Sequence, residues 1–200
     1  MLTLYDGEIS GHSHRVRLFL ALLAQPYQRV SVDLAGGENR LPGYLEKNPF
    51  GQIPVLDDDG TLVRDSNAIL VYLARKFQAD AWYPHEPLAM ARVHEWLAVA
   101  TLRIYNGPVK ARAVKIFGRP WDHDAAVKES EDLLRIMDTH LSGREWLALD
   151  NATLADVSCY TYIAHAPEGD VSLAPYGAVR RWLERVEALP NFIPMKASPT

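Results

Sequence analysis

Hydrophobic residues recur with two different periods over the first 77 residues, and with only one of them after residue 87. A period of two marks a strand and a period near 3.6 marks a helix. A chain that mixes the two and then keeps only the second has to fold an α/β part followed by an all-helical part. Leu2 to Tyr5 reads as a short buried strand, and Asp6 to Gly11 as a loop. Ser13 to Leu23 is helical, with Val16, Phe19, Leu20 and Leu23 on one stripe. Tyr27 to Leu34 alternates as a strand, with Val30 and Val32 pointing one way. Residues 35–49 are turn-rich, punctuated by Gly36, Gly37, Pro42 and Pro49, with room for one short helix near Tyr44. Ile53 to Leu56 and Thr61 to Val63 are brief strands around Asp57-Asp58-Asp59-Gly60, a hairpin signal because Asp-Gly tolerates the positive φ such turns need. Ser66 to Phe77 closes the series as a helix with Ile69, Leu70, Leu73 and Phe77 on its apolar face.

The order βαβ, connecting segment, ββα joins a parallel half to an antiparallel hairpin, which is the plan of a thioredoxin-like domain (βαβαββα) over residues 1–77. Gln78 to Pro87, with Tyr83-Pro84-His85-Glu86-Pro87, reads as a linker. Residues 88–200 then form an all-helical domain. Leu88–Ile104, Pro108–Phe117, Ala125–Leu141, Leu154–Ala164 and Gly177–Ala188 are its expected helices. Thr153-Leu154-Ala155-Asp156 has the spacing of a capping box, with Thr153 as N-cap and Asp156 three residues on; Leu149 and Val157 can add hydrophobic packing there.

Composition narrows the function classes. Lys and Arg are scattered and the net charge is −4, whereas a nucleic-acid partner calls for a concentrated basic face. No stretch approaches the roughly 20 apolar residues that span a bilayer. The start, MLTLYDGEIS, lacks the basic and apolar segments of a secretory signal. Cys159 is the single cysteine, which excludes an intrachain disulfide and fits a cytoplasmic home.

Four strings in this order carry a family likeness. NPFGQIPVL (residues 48–56) followed by LVRDSNAILVYL (62–73) resembles the glutathione S-transferase signature. SGHSHRVRLFL (10–20) is similar to the loop and first helix of that family's serine-using, bacterial and theta-like members, and TLADV (153–157) to its helical-domain cap. The resemblance implies glutathione as co-substrate, no metal, a hydrophobic electrophilic small molecule as second substrate, a homodimer, and a role in detoxification. A glutathione-dependent disulfide reductase or peroxidase, or a non-enzymatic binding module on the same fold, fits the same residues.

The resemblance also assigns roles. A proline such as Pro54 either starts an edge strand or follows a cis peptide that leaves the backbone of Ile53 to pair with a peptide; the likeness implies the cysteinyl unit of glutathione. Asp65-Ser66 opens a helix, with Ser66 as the expected N-cap. Such a start is either a plain cap or a carboxylate site. Here the likeness implies the γ-glutamyl carboxylate on Ser66 and its ammonium on Asp65. Arg40 reads either as a solvated loop arginine or, by the likeness, as the partner of the glycyl carboxylate, which its planar fork suits, with Gln52 and Lys47 as neighbours. Ser10 and Ser13 have the spacing of a redox C-x-x-C pair with hydroxyls in place of both sulfurs, and either can donate to the glutathione thiolate; matching Val16 to the family's first helix favours Ser10. Tyr5 reads as a strand or core residue. His12 can line the mouth of the site and assist a proton transfer, or form an exposed pair with His14; residues at i and i+2 do not share a helix face for a metal. The second substrate is expected between the domains, against Trp96, Tyr105 and Phe117, with Arg103, Lys110 and Arg112 nearby.

Overall fold

The computed structural model describes residues 1–198. Contacts divide the chain into two units, Met1–Ala79 with Pro190–Lys196, and one built on Asp80–Leu189.

In the first unit, strand β1 (Leu2–Asp6) leads through a loop into helix α1 (Gly11–Leu22) and strand β2 (Gln28–Ser31). A single turn of 3-10 helix (Glu38–Arg40) and short helix α2 (Pro42–Leu45) precede strands β3 (Val55–Asp58) and β4 (Thr61–Arg64), and helix α3 (Ser66–Lys76) ends the series. The sheet order is β2-β1-β3-β4; β2 runs parallel to β1, and β3 and β4 are antiparallel additions. This is the thioredoxin-like plan read from the periodicity. The register pairs Leu4 with Leu56 and Tyr5 with Val55. Alternation then sends Leu4 and Leu56 to one face, both fully buried. The opposite face carries Tyr5, Val55 and Leu62 packed with Val32, Tyr44 and Ile53. Helices α1 and α3 pack against each other.

Several local expectations shift by a residue or more. The hairpin turn is Asp59-Gly60 alone, with φ of 49° and 92°, so Asp57 and Asp58 belong to β3. Two positive φ angles are what a two-residue turn between twisted strands requires. Asp6 is strand rather than loop, and its buried carboxylate accepts from Arg17 at 2.5 Å and Arg29 at 2.7 Å, tying β1 to α1 and β2. Helix α1 is buried nearly all round rather than along one stripe, since Val16, Leu18, Phe19 and Leu20 are all fully buried.

The second unit is helical: α4 (Pro87–Val99), α5 (Lys110–Phe117), α6 (His123–Leu141), α7 (Leu154–Ala164) and α8 (Gly177–Glu187), with a 3-10 turn at Ala166–Gly169. The two helices expected over 88–117 are one continuous run, because residues Ala100–Val109 form π-helical turns that join α4 to α5. Pro108 lies inside that stretch. Proline lacks the N–H for an α-helical bond, and the wider π turn takes it without ending the helix. Gly107 faces α6 so closely that a Cβ there would sit 2.9 Å from Ser130 Oγ. The capping box at Thr153 and Asp156 is present as read, with both reciprocal bonds made. No helix among the described residues is long and apolar enough to cross a membrane.

Candidate functional site

Of the residues singled out in the first unit, Ser10 and Ile53 meet at the loop after β1, while Asp65 and Ser66 stand at the start of α3. Arg17 holds that loop by donating to the carbonyls of Gly7 (3.1 Å) and Glu8 (2.8 Å). Gly7 has no room for a side chain: a Cβ would lie 2.7 Å from Ile53 Cδ1 and 3.7 Å from Ser10 Cβ. Loop, Ser10 and Ile53 are therefore close neighbours.

Helix α1 begins two residues earlier than its apolar stripe suggests, with Ser10 as its N-cap. Ser10 Oγ accepts the Ser13 N–H at 3.3 Å. That bond uses a lone pair and leaves the hydroxyl proton available, and Ser10 is half-buried. Ser13 differs: it is fully buried, and its Oγ accepts from Gly7 N at 3.3 Å.

The histidines depart from the expected exposed pair. His14 is fully buried and its Nε2 lies 2.9 Å from the carbonyl oxygen of Ile193, so the segment Pro190–Lys196 is fastened to the start of α1. His12 is half-buried; burial, then the positive charge of Arg15, lowers its pKa from 6.5 to about 3, and the ring is neutral at physiological pH.

The peptide Ile53–Pro54 is cis, and Ile53 lies just ahead of β3, which begins at Val55. The carbonyl of Gln52 accepts from Tyr44 Oη (2.9 Å) and Asn48 Nδ2 (2.7 Å), and this rigid corner presents the Gln52 side chain to solvent. Burial, followed by the charge of Glu38, pushes the Tyr44 phenol well above its usual range, so it stays a donor. Arg40 is exposed at the end of its 3-10 turn, and the neighbouring Asn39 donates to the Gly51 carbonyl at 2.6 Å. Lys47 Nζ lies 5.4 Å above the Tyr5 ring, which belongs to the core face of the sheet.

At α3 the N-cap is Asp65, not Ser66. The Asp65 carboxylate accepts the N–H groups of Asn67 (2.8 Å) and Ala68 (3.0 Å) from a backbone with φ 70° and ψ 129°. A non-glycine residue at such a φ is held there by its surroundings, a condition that clusters at binding sites. Ser66 sits one residue inside the helix, where its buried Oγ accepts from Arg15 Nη1 at 2.8 Å, while the same nitrogen donates to Asn67 Oδ1 at 3.1 Å. Arg15 and Asn67 were missed in the sequence. The available signal was a pair of arginines, Arg15 and Arg17, inside an otherwise apolar helical run.

In the second unit Trp96 is core: it is 7% exposed and its ring lies 5.0 Å from that of His140. Arg112 is likewise buried, bonded to Glu168 at 2.7 Å. Tyr105 is exposed and meets Trp121 edge-on, with Lys110 Nζ 5.8 Å from each ring centre. Phe117 is also exposed, and Arg103 pairs with Glu129. Cys159 is buried there, its Sγ 3.6 Å from the Trp96 carbonyl oxygen.

Residues 9–76 match the family model for the glutathione S-transferase N-terminal domain, and residues 111–190 that for the glutathione S-transferase C-terminal domain. The chain is 31% identical over 200 residues to maleylacetoacetate isomerase of Pseudomonas aeruginosa, covering 96% of this chain and 93% of that one. It is 27% identical to the disulfide-bond oxidoreductase YfcG of Escherichia coli, covering 95% and 92%. Among solved structures, a glutathione S-transferase from Pseudomonas fluorescens superposes with a TM-score of 0.92 at 31% identity, covering 98% of this chain and 99% of that one.

Proposed function

The chain belongs to the glutathione S-transferase family, and we propose that it conjugates the glutathione thiolate to a hydrophobic electrophilic small molecule, with Ser10 as the residue that stabilises the sulfur. The observation that carries this reading is the contrast in burial between the two serines: Ser10 is half-buried, so its hydroxyl proton can reach a ligand, whereas Ser13 is fully buried. A thiol near its ordinary pKa of about 8.5 is mostly protonated at neutral pH. An O–H donated to sulfur, together with the positive end of α1, favours the thiolate. In the same proposal the backbone of Ile53 pairs with the cysteinyl unit, Arg40 and Gln52 face the glycyl end, Asp65 meets the γ-glutamyl ammonium and Ser66 its carboxylate. Tyr105 and Phe117 are the aromatic residues retained for the acceptor, because both are exposed where Trp96 is packed away. A homodimeric, cytoplasmic enzyme of detoxification belongs to this reading through the family.

A second reading, glutathione-dependent isomerisation, is supported by the 31% identity to maleylacetoacetate isomerase. It starts from the same thiolate and parts from conjugation only in whether the sulfur leaves again. A disulfide reductase would need glutathione for all its sulfur chemistry, since Cys159 is buried in the helical unit.

The test is Ser10→Ala, assayed by calorimetric titration with reduced glutathione and by turnover of an aromatic halide, a disulfide and maleylacetoacetate. Loss of one hydrogen bond to a charged sulfur corresponds to about a ten- to hundredfold fall in turnover. Glutathione affinity stays within a few-fold, and the acid limb of the rate profile moves up toward the pKa of free thiol. Full activity in this variant, with Ser13→Ala dead, would transfer the role to Ser13.

A further inference from the structure

Resting on the glutathione site proposed above, we infer that Arg15 is the positioning residue of the γ-glutamyl carboxylate site, acting from α1 through Ser66 and Asn67 at the start of α3. The Arg15 side chain is buried, and one of its nitrogens reaches two neutral acceptors, Ser66 Oγ at 2.8 Å and Asn67 Oδ1 at 3.1 Å. A serine hydroxyl has two acceptor lone pairs and one proton. With a guanidinium N–H held on one lone pair, the Ser66 hydroxyl cannot turn its proton toward Arg15, so the proton faces away from α1 as a donor. The choice between donor and acceptor at Ser66 is thus settled by a residue 51 positions earlier in the chain. A carboxylate, which only accepts, is the group that such an oriented hydroxyl selects.

Charge acts in the same direction. The first N–H groups of α3 and the positive end of its dipole already favour an anion. Asp65 occupies two of those N–H groups, those of Asn67 and Ala68, and brings a negative charge that opposes an anion at the same place. The guanidinium directly behind Ser66 offsets that charge. Its field reaches the neighbourhood, since after burial it is the second cause of the low pKa of His12. Asp65 then serves the ammonium and the Arg15–Ser66 pair the carboxylate, which divides a zwitterionic amino-acid end between two adjacent residues of opposite character. Helix α1 thereby serves two parts of the ligand, with Ser10 as its N-cap for the sulfur and Arg15 about one turn further for the γ-glutamyl group.

The experiment compares two ligands on each protein by calorimetry: S-methylglutathione, and its analogue in which 4-aminobutyrate replaces the γ-glutamyl residue, so that the α-carboxylate is lost while the amine keeps its place. Wild type should bind S-methylglutathione more tightly, and Arg15→Met should lose about ten- to a hundredfold in affinity for it. Its affinity for the analogue should stay within a few-fold. In turnover the same variant should raise KM for glutathione while kcat at saturation stays close to wild type. Arg15→Lys, which keeps the charge without the planar fork, should fall between the two and carries the same comparison if Arg15→Met does not fold. Equal losses for both ligands would overturn the inference and make Arg15 a merely structural residue. A wild type that does not prefer S-methylglutathione, or does not bind it, would instead overturn the glutathione site itself.

Discussion

Replacing Asp156 tests the energetics of the helical unit at its most heavily used polar group. Its carboxylate is fully buried and accepts from the Leu147 N–H (3.0 Å), the Trp182 indole N–H (2.9 Å), the Thr153 N–H (2.9 Å) and the Thr153 hydroxyl (3.2 Å). Burial pushes its pKa above the ordinary carboxylate value against the pull of those donors. Asp156→Ala leaves three N–H groups without an acceptor, each costing about 1–3 kcal/mol when buried. Thr153 keeps its own capping bond from the Ala155 N–H, so the box loses only its reciprocal half, already counted among those three. Relief from burying a carboxylate, and relaxation around the site, offset part of this, so the expected net loss is about 3–4 kcal/mol. Asp156→Asn retains a carbonyl for two of the donors but turns an NH2 toward Thr153, whose hydroxyl can rotate to accept it; about 2 kcal/mol should go. Urea unfolding at fixed protein concentration, followed by tryptophan fluorescence and far-ultraviolet circular dichroism, reads both values. An alanine variant within about 0.5 kcal/mol of wild type, the range of an ordinary surface substitution, would refute the reasoning. So would an asparagine variant that is less stable than the alanine one.

Gly169→Ala should also destabilise this unit, by about 2 kcal/mol, because the new Cβ would lie 2.5 Å from the Arg112 backbone nitrogen and 2.8 Å from the Ala111 carbonyl carbon, where no side chain can give way. Gly143→Ala, with nothing within 4 Å of its Cβ, should leave the melting temperature unchanged and serves as the control. His12 binds its proton less readily folded than unfolded, so between its ordinary 6.5 and about 3 the unfolded chain holds more protons and stability should fall as the pH drops. His12→Gln should flatten the melting-temperature profile across that window; a profile as steep as wild type would show that the slope comes from other groups.

Much of the molecule was legible before folding because its signals are local. A hydrophobic period, a turn-forming Asp-Gly, a Thr-x-x-Asp cap and an X-Pro bond each lie within a few residues of the structure they specify, and β1 to α3, the Asp59-Gly60 turn and the Thr153 box formed close to where they were read. Helix bounds slipped where a tertiary contact replaced a local cue. The break expected before Pro108 closed into π turns, and the serine expected to cap α3 gave that task to Asp65, whose φ of 70° with ψ of 129° lies outside the left-handed well that aspartate tolerates.

The sequence by itself therefore determined the order of elements, the two-part architecture and the motif residues from which a family could be named. Only the tertiary structure decided that Ser13 is fully buried while Ser10 is half-buried, that His14 is fastened to Ile193, that Asp6 holds two arginines, and that Arg15 stands behind Ser66. The physical reason is distance along the chain. Donor and acceptor roles are fixed by what lies on the other side of a hydroxyl or a ring, and for these groups that partner is from 6 to 179 residues away.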